Sequence, residues 1–373
     1  MYKIKHCYKE SNPESARWAR FGPYYAMFPV DFAFDIINTY SKRGDKILDP
    51  FSGRGTSIFA GSILGRESVG IEINPLGWIY GSVKLYPADQ DKVLARLKTI
   101  YDLRENYEFE VKHCSDFFKM CFCEDVLKFL FSARINLQWE HNHIDRTLIS
   151  FIAFYLHAGI GKGLSNQMRS TRAFAIQYSL DWWTKNHLTT PPKINAFEFL
   201  SKKIHWRYQL GTPRLKNGFI KLGDSCDITN TMQKNEKQKY SLLFTSPPYC
   251  GVTDYFKDQW LRLWLLGGDD IPKTKKEAHK NKFDNKIKYA QMLDMIFKNC
   301  ADLMKKNAYI YVRTDCRDFT RETTISILKK YFPHHSMQTI ERPLQKNIIT
   351  QTIIHGNFSK KQGEVDVILK PIT

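Results

Sequence analysis

The sequence predicts an α/β fold: a doubly wound, mainly parallel sheet interrupted by a mainly helical insertion. Three observations predict it. A strand, a glycine-rich turn, a helix and a second strand follow one another within residues 45–74, which is the opening unit of such a sheet. Strand signals separated by helices return after residue 215. Between the two blocks the chain is mostly helical in pattern. The expected division is one domain from residues 1–90 and 215–373, with 91–214 as a mainly helical insertion.

Each element has its own reason. DFAFDIINTYSK (31–42) spaces its apolar side chains as an amphipathic helix does. DKILDP (45–50) is a short apolar strand closed by Pro50, which fixes φ and brings no N–H. FSGRGTSIFAGSILG (51–65) reads as a turn and then a helix, and SVGIEIN (68–74) as the second strand. Long mixed runs such as DQDKVLARLKTIYDLRENY and CEDVLKFLFSARINL make residues 88–160 helical. Residues 161–192 read as irregular, polar and aromatic, and NAFEFLSKKIHWRYQL (195–210) as a helix. Later strands are expected at 218–224, 241–245, 308–314, 350–356 and 364–370, with helices at 289–306 and 321–332.

Composition narrows the function. A formal net charge of +18 over 373 residues favours a polyanionic partner, because Lys and Arg release counterions when they neutralise phosphates. No apolar run approaches the roughly 18–20 residues that span a bilayer. A membrane partner is not expected, and the start MYKIKHCYKE lacks the apolar core of a signal peptide, so the expected location is cytoplasmic. The eight cysteines are scattered without zinc-site spacing, and no metal is expected.

Two loops carry chemistry. In LDPFSGRGT, Gly53 and Gly55 flank a turn between a strand and a helix N-terminus, where a ligand can approach backbone N–H groups. Ile58 stands where a dinucleotide fingerprint wants its third glycine, which disfavours NAD. Glu72 ends the next strand and can accept both hydroxyls of a ribose. A plain strand–helix turn with an exposed Glu is the alternative for that pair. In SLLFTSPPYCG, the strand stops at Ser246, Pro247, Pro248 and Tyr249. The Ser hydroxyl and Pro247 carbonyl can both accept from an exocyclic NH₂, and the tyrosine ring can stack on a base, a contact of about 1–3 kcal/mol. A turn whose tyrosine caps the core is the alternative there.

LFTSPPY together with LDPFSGRGT resembles the DNA amino-methyltransferases, which methylate cytosine N4 or adenine N6 from S-adenosyl-L-methionine. The serine form of the elbow is most similar to the N4-cytosine enzymes. The resemblance implies a Rossmann-like sheet of the class I methyltransferase kind, with catalytic residues Ser246, Pro247, Pro248 and Tyr249. YYAMFP (24–29) resembles the family's amino-terminal cofactor motif, so Met27, Phe28 and Pro29 are expected along the methionine moiety. The same match implies Asp49, Phe51, Gly53, Gly55, Thr56, Glu72 and Thr245 as cofactor residues, with Asp224 of LGDS beside the adenine amine. The cofactor loop precedes the elbow by about 190 residues, an order similar to the α-type arrangement with target recognition between the halves.

The implied function is methyl transfer to N4 of a flipped-out cytosine in a specific duplex sequence, in a restriction–modification setting. Double-stranded DNA and a cognate restriction endonuclease are the implied partners. An N6-adenine enzyme, an RNA base methyltransferase and a silent DNA-binding protein are the alternatives. Cys250 follows the tyrosine rather than a proline, which disfavours cytosine C5 chemistry. For base reading, GKGLSNQMRSTR (161–172) offers Ser165, Asn166, Gln167, Arg169 and Arg172, whose types suit adenine and guanine edges. Lys273, Lys275 and Lys276 open a run of seven lysines (272–288) expected to contact phosphates. Asp254 and Tyr255 are candidates for the pocket wall, and Trp182 and Trp183 for the core of the insertion.

Overall fold

The computed structural model describes residues 13–24, 27–252, 255–272, 282–342 and 363–372. Among them seven strands form one sheet: β1 (Lys46–Asp49), β2 (Glu67–Glu72), β3 (Gly218–Leu222), β4 (Tyr240–Thr245), β5 (Met304–Asp315), β6 (His335–Arg342) and β7 (Glu364–Pro371). Their spatial order is β3-β2-β1-β4-β5-β7-β6. All neighbours are parallel except β7, which runs antiparallel to both β5 and β6. The fold is the Rossmann-like, doubly wound one. The order reverses between β1 and β4, so the loops leaving these two strands open a crevice at the carboxyl edge of the sheet.

Strand alternation feeds two cores. Ile47, Leu242 and Phe244 face one cluster; Leu48, Leu243, Ile310 and Val312 face the other. The second cluster is closed by helices Ser225–Met232, Lys286–Leu303 and Asp318–Tyr331. The first is closed by helices Val30–Tyr40, Thr56–Ile63 and Pro75–Leu85. It then continues without a break into helices Gln90–Asp102, Glu124–Asn136, His143–Tyr155 and Ala196–Tyr208, between β2 and β3. Trp18, on the short helix Pro13–Ala19, packs edge-on against Phe151 and Tyr208 of those helices.

Two elements differ from the sequence reading. Ile176–Lys185 is a helix inside the stretch expected to be irregular. Its Ile176, Leu180 and Trp183 are at helical spacing and pack on the core, but the run is only 10 residues long and follows a polar, loop-like stretch that hides it. His335–Arg342 is a strand that the pattern did not suggest. It pairs only with β7 at the sheet edge, and its mostly polar residues are largely exposed. The strand expected at 350–356 lies outside the described residues. No described helix is long and apolar enough to cross a membrane.

Candidate active site

The two loops meet through a buried carboxylate. Asp49, last residue of β1, is 1% exposed and accepts from the Phe51 N–H (3.1 Å), from the Ser57 hydroxyl and from the Thr245 hydroxyl (2.6 Å). Burial pushes its pKa up to about 6, against the pull of those three donors. Thr245 ends β4, directly before the elbow. One hydrogen bond therefore joins the glycine loop to the elbow across 196 residues. Asp49 and Thr245, both expected beside a cofactor, are buried, and their side chains clamp the two strand ends together.

The glycine loop is built for close approach. Gly53 and Gly55 have φ of +54° and +73°, in the left-handed region that favours glycine. A Cβ on Gly55 would lie 2.5 Å from Ile220 Cδ1 of β3 and 3.2 Å from Gly81 Cα. At Gly53 the nearest atom would be the Tyr24 ring, 3.7 Å away, so space remains over that residue. Thr56 opens the following helix, and its buried hydroxyl oxygen has no hydrogen-bond partner among the described residues. Phe51 is half-buried beside the loop.

Glu72 ends β2 and is 8% exposed. It accepts from the Asn74 N–H (2.8 Å), the Gly53 N–H and the Tyr24 hydroxyl (3.5 Å). Burial raises its pKa to about 7; the two backbone donors oppose the rise and nearby Asp49 adds to it. Tyr24 is thus a site residue that the sequence reading passed over, although it opens the YYAMFP motif. Gly77 is another, since a Cβ there would lie 3.0 Å from both Glu72 Cγ and the Gly53 carbonyl oxygen. Phe28 is buried and stacks on Phe244 (4.4 Å between centroids), while Met27 and Pro29 are exposed beside it.

Asp224 caps helix Ser225–Met232, accepting from the Cys226 N–H at 2.9 Å, and pairs with Lys282. Burial works to raise its pKa, but Lys282 and the cap donor outweigh that and hold the carboxyl below its usual range. Ser225 donates to the Pro50 carbonyl, and the Gly223 N–H to the Glu72 carbonyl (2.9 Å). The ends of β1, β2 and β3 are therefore tied into one rim.

The elbow leaves the sheet after Thr245. Ser246, Pro248 and Tyr249 are half-buried and Pro247 is buried. Arg317 donates to the Cys250 carbonyl (2.7 Å), and the Gly251 N–H to the Phe283 carbonyl (2.8 Å). Tyr249 donates its hydroxyl proton to Glu364 Oε1 at 2.9 Å. Asp254 lies outside the described residues; Tyr255 begins the short helix Tyr255–Asp258.

The base-reading candidates separate. Ser165 and Asn166 are fully buried. The Ser165 hydroxyl donates to the Asn166 carbonyl (2.7 Å), and the Asn166 amide donates to the carbonyls of Met120 (3.0 Å) and Leu188 (2.6 Å). These two are corrected to structural residues, because a side chain that reads a base must reach solvent. Gln167 is half-buried, and its side-chain oxygen accepts from the Ile160 N–H (3.0 Å). Arg169 is exposed and Arg172 half-buried. They lie on a stretch docked against the helices that follow the elbow: Arg262 donates to the Ser170 carbonyl (2.7 Å), Gln259 to that of Thr171 (3.1 Å) and Trp260 to that of Phe174 (3.3 Å). Trp183 is buried and donates to the Gln167 carbonyl (2.8 Å); Trp182 is half-buried. Lys273, Lys275 and Lys276 lie outside the described residues.

Comparison with known proteins agrees with this arrangement. The DNA methylase family N6_N4_Mtase matches residues 1–76. The chain is 25% identical over 310 residues to the type II methyltransferase M.BsoBI of Geobacillus stearothermophilus, covering 76% of this chain and 59% of that protein. It is 26% identical over 275 residues to M.AvaI of Nostoc sp., covering 67% and 54%. A stretch of 49 residues is 45% identical to M.MthZI of Methanothermobacter thermautotrophicus, covering 13% of this chain and 14% of that protein. The chain thus spans less than two-thirds of the length of each of these relatives. Among solved structures, the rRNA methyltransferase AviRa of Streptomyces viridochromogenes aligns at a TM-score of 0.36 and 11% identity, over 99% of this chain and 96% of that one. In its first 76 residues this chain is similar to the DNA methylase family N6_N4_Mtase, and over longer stretches to type II DNA methyltransferases.

Proposed function

We infer that the protein transfers a methyl group from S-adenosyl-L-methionine to N4 of a cytosine flipped out of a specific duplex sequence. The observation that carries this reading is the Thr245–Asp49 hydrogen bond. It sets an elbow rich in amine acceptors beside a glycine loop open to a ligand.

The residues present fit the cofactor. Gly53 leaves backbone open to a ligand, the Thr56 hydroxyl has no partner among the described residues, and Glu72 presents a buried carboxylate to a ribose. Asp224 would meet the adenine amine, exchanging Lys282 for it. Phe28, Met27 and Pro29 flank the methionine end. When bound, the cofactor supplies an electrophilic sulfonium methyl.

The chain's own residues do the rest. The N4 lone pair of cytosine is delocalised into the ring and is a poor nucleophile. Ser246 Oγ and the Pro247 carbonyl accept from the amine N–H groups, which localises the lone pair and stabilises positive charge as it develops on nitrogen. Tyr249 stacks on the extruded base, offsetting part of the few kcal/mol that flipping costs. Holding amine and methyl in line supplies much of the rate, and the surplus proton leaves to water. The helical region 91–214 recognises the target, with Arg169, Arg172 and Gln167 nearest the elbow helices. The lysine run grips phosphates. Pairing with a cognate restriction endonuclease follows from the resemblance to type II methyltransferases.

The test is methylation of mixed-sequence duplex DNA with isotopically labelled cofactor, followed by nucleoside digestion and mass spectrometry. Label in N4-methylcytosine is the expected result. Label in N6-methyladenine would overturn the base assignment and leave the site intact. Bound cofactor without labelled DNA would turn the reading toward RNA or a silent binding role.

A further inference from the structure

The elbow is also tied down where it ends. Tyr249, Cys250, Gly251 and Val252 form a turn, closed by the Val252 N–H donating to the Tyr249 carbonyl at 3.1 Å. Gly251 has a φ of +71°, and Cys250 does not share the positive sign, which is the pattern of a type II turn. Type I differs from it by a flip of the central peptide, here the one joining Cys250 to Gly251. That peptide is gripped at both ends. Its carbonyl accepts from Arg317 Nη2 at 2.7 Å, and its N–H donates to the Phe283 carbonyl at 2.8 Å. A flip would break both bonds together.

Arg317 is itself fixed. It stands just beyond the end of β5 and caps the start of helix Asp318–Tyr331. Asp315, the last residue of β5, is 3% exposed. It accepts from the Arg317 backbone N–H at 3.0 Å, from Nε at 2.9 Å and from Nη2. β5 lies beside β4, the strand that leads into the elbow. One guanidinium therefore joins the end of the neighbouring strand to the turn after Tyr249. The Arg317 side chain is 40% exposed, so it does not fill the core.

The other freedoms of the elbow are already removed. Thr245 is held by Asp49 at its start, and Pro247 and Pro248 fix their own φ. The tip of the Tyr249 ring is held by Glu364 Oε1 at 2.9 Å. The backbone motion left to swing that ring lies between Pro248 and Gly251, where Arg317 acts.

We propose that Arg317 is a positioning residue for methyl transfer: by holding the Cys250 carbonyl it keeps the Tyr249 ring where an extruded base must stack. The proposal rests on the function inferred above and adds a residue to that site. Arg317 acts through the turn and not on the reacting atoms, and Asp315 keeps its guanidinium aimed.

The experiment measures single-turnover transfer from labelled S-adenosylmethionine to a duplex that the wild-type protein methylates, at saturating cofactor and duplex, with both affinities measured by calorimetry. Arg317→Ala should slow the transfer step about 10- to 100-fold, with both affinities within about twofold of wild type. Arg317→Lys keeps the charge but lacks the planar fork that serves Asp315 and the carbonyl together, and should lose about 3- to 10-fold. In a Tyr249→Ala background the ring is already gone, so adding either Arg317 substitution should change the rate less than about twofold. Should Arg317→Ala not fold, Arg317→Lys carries the comparison in both backgrounds. Independent, multiplying effects of the Arg317 and Tyr249 substitutions would overturn the proposal. So would Arg317 variants that transfer at the wild-type rate, or a loss that appears wholly in cofactor affinity. A wild-type protein that methylates no DNA would overturn the inferred function, and this proposal with it, before any variant is compared.

Discussion

Replacing Thr245 by valine keeps the shape of the residue and removes one proton donor. That donor reaches Asp49 Oδ1 at 2.6 Å, and Asp49 has two others, Ser57 and the Phe51 N–H. A hydrogen bond to a charged group contributes about 1.5–3 kcal/mol, and one to a neutral group about 1 kcal/mol. Which value applies depends on pH. Burial raises the Asp49 pKa from 3.8 to about 6 in the folded protein. A raised carboxyl contributes stability that is fully present below its unfolded pKa and is lost as pH rises through the folded one. Removing a donor to the anion raises that pKa further, so the variant loses more as the group ionises. Thr245→Val should therefore cost about 1 kcal/mol at pH 5 and about 2–3 kcal/mol at pH 8, read by urea unfolding. Ser241→Ala is the control, because it removes the hydroxyl that donates to Asp45 (2.8 Å) at the opposite, half-exposed end of the same strand pair. It should cost less than about 1 kcal/mol. A Thr245→Val penalty that is equal at the two pH values would refute the claim that an ionised Asp49 holds the loops together.

Three further outcomes follow from the same geometry. Gly55→Ala puts a Cβ 2.5 Å from Ile220 at a φ of +73°, and should cost about 2–4 kcal/mol in thermal unfolding while weakening cofactor binding. Glu72, raised to about 7 by burial, must be ionised to accept from both ribose hydroxyls; cofactor affinity should fall toward tenfold per pH unit below 7, and Glu72→Gln should bind more weakly with a flat profile, both by calorimetry. Ser246→Ala should slow methyl transfer about 100-fold with cofactor affinity unchanged, and a matching loss of affinity in the same titration would reject its place against the base.

Much of this was legible in the residues because the rim of a parallel sheet writes local signals. Gly53 and Gly55 mark a turn, Pro247 and Pro248 end a ladder, and Glu72 closes an apolar strand. Other parts depend on contacts that no local signal carries. Ser165 and Asn166 read as a polar loop, yet they are buried: the Asn166 amide finds its partners at Met120 and Leu188, on distant segments, and Ser165 bonds to the Asn166 carbonyl beside it. The clamp role of Asp49 needed Thr245, 196 residues away. Tyr24 gained its role only when the loop folded under its ring. β6 stayed hidden because an edge strand with one neighbour needs little apolar alternation.

The pairing of β2 with β3 has a consequence for synthesis of the chain. β3 covers the open side of β2 from Ser68 to Glu72, yet about 145 residues are made between them. At the usual ribosomal pace of about 5–20 residues per second, the edge of β2 waits roughly 7–30 s for its cover. β4, which covers β1 on the other side, comes later still. During that time Val69 and Ile71 sit on an unpaired strand that invites a wrong partner. The helices made in the interval pack into the core beside the sheet, so the inserted segment is complete before the sheet it packs on is closed.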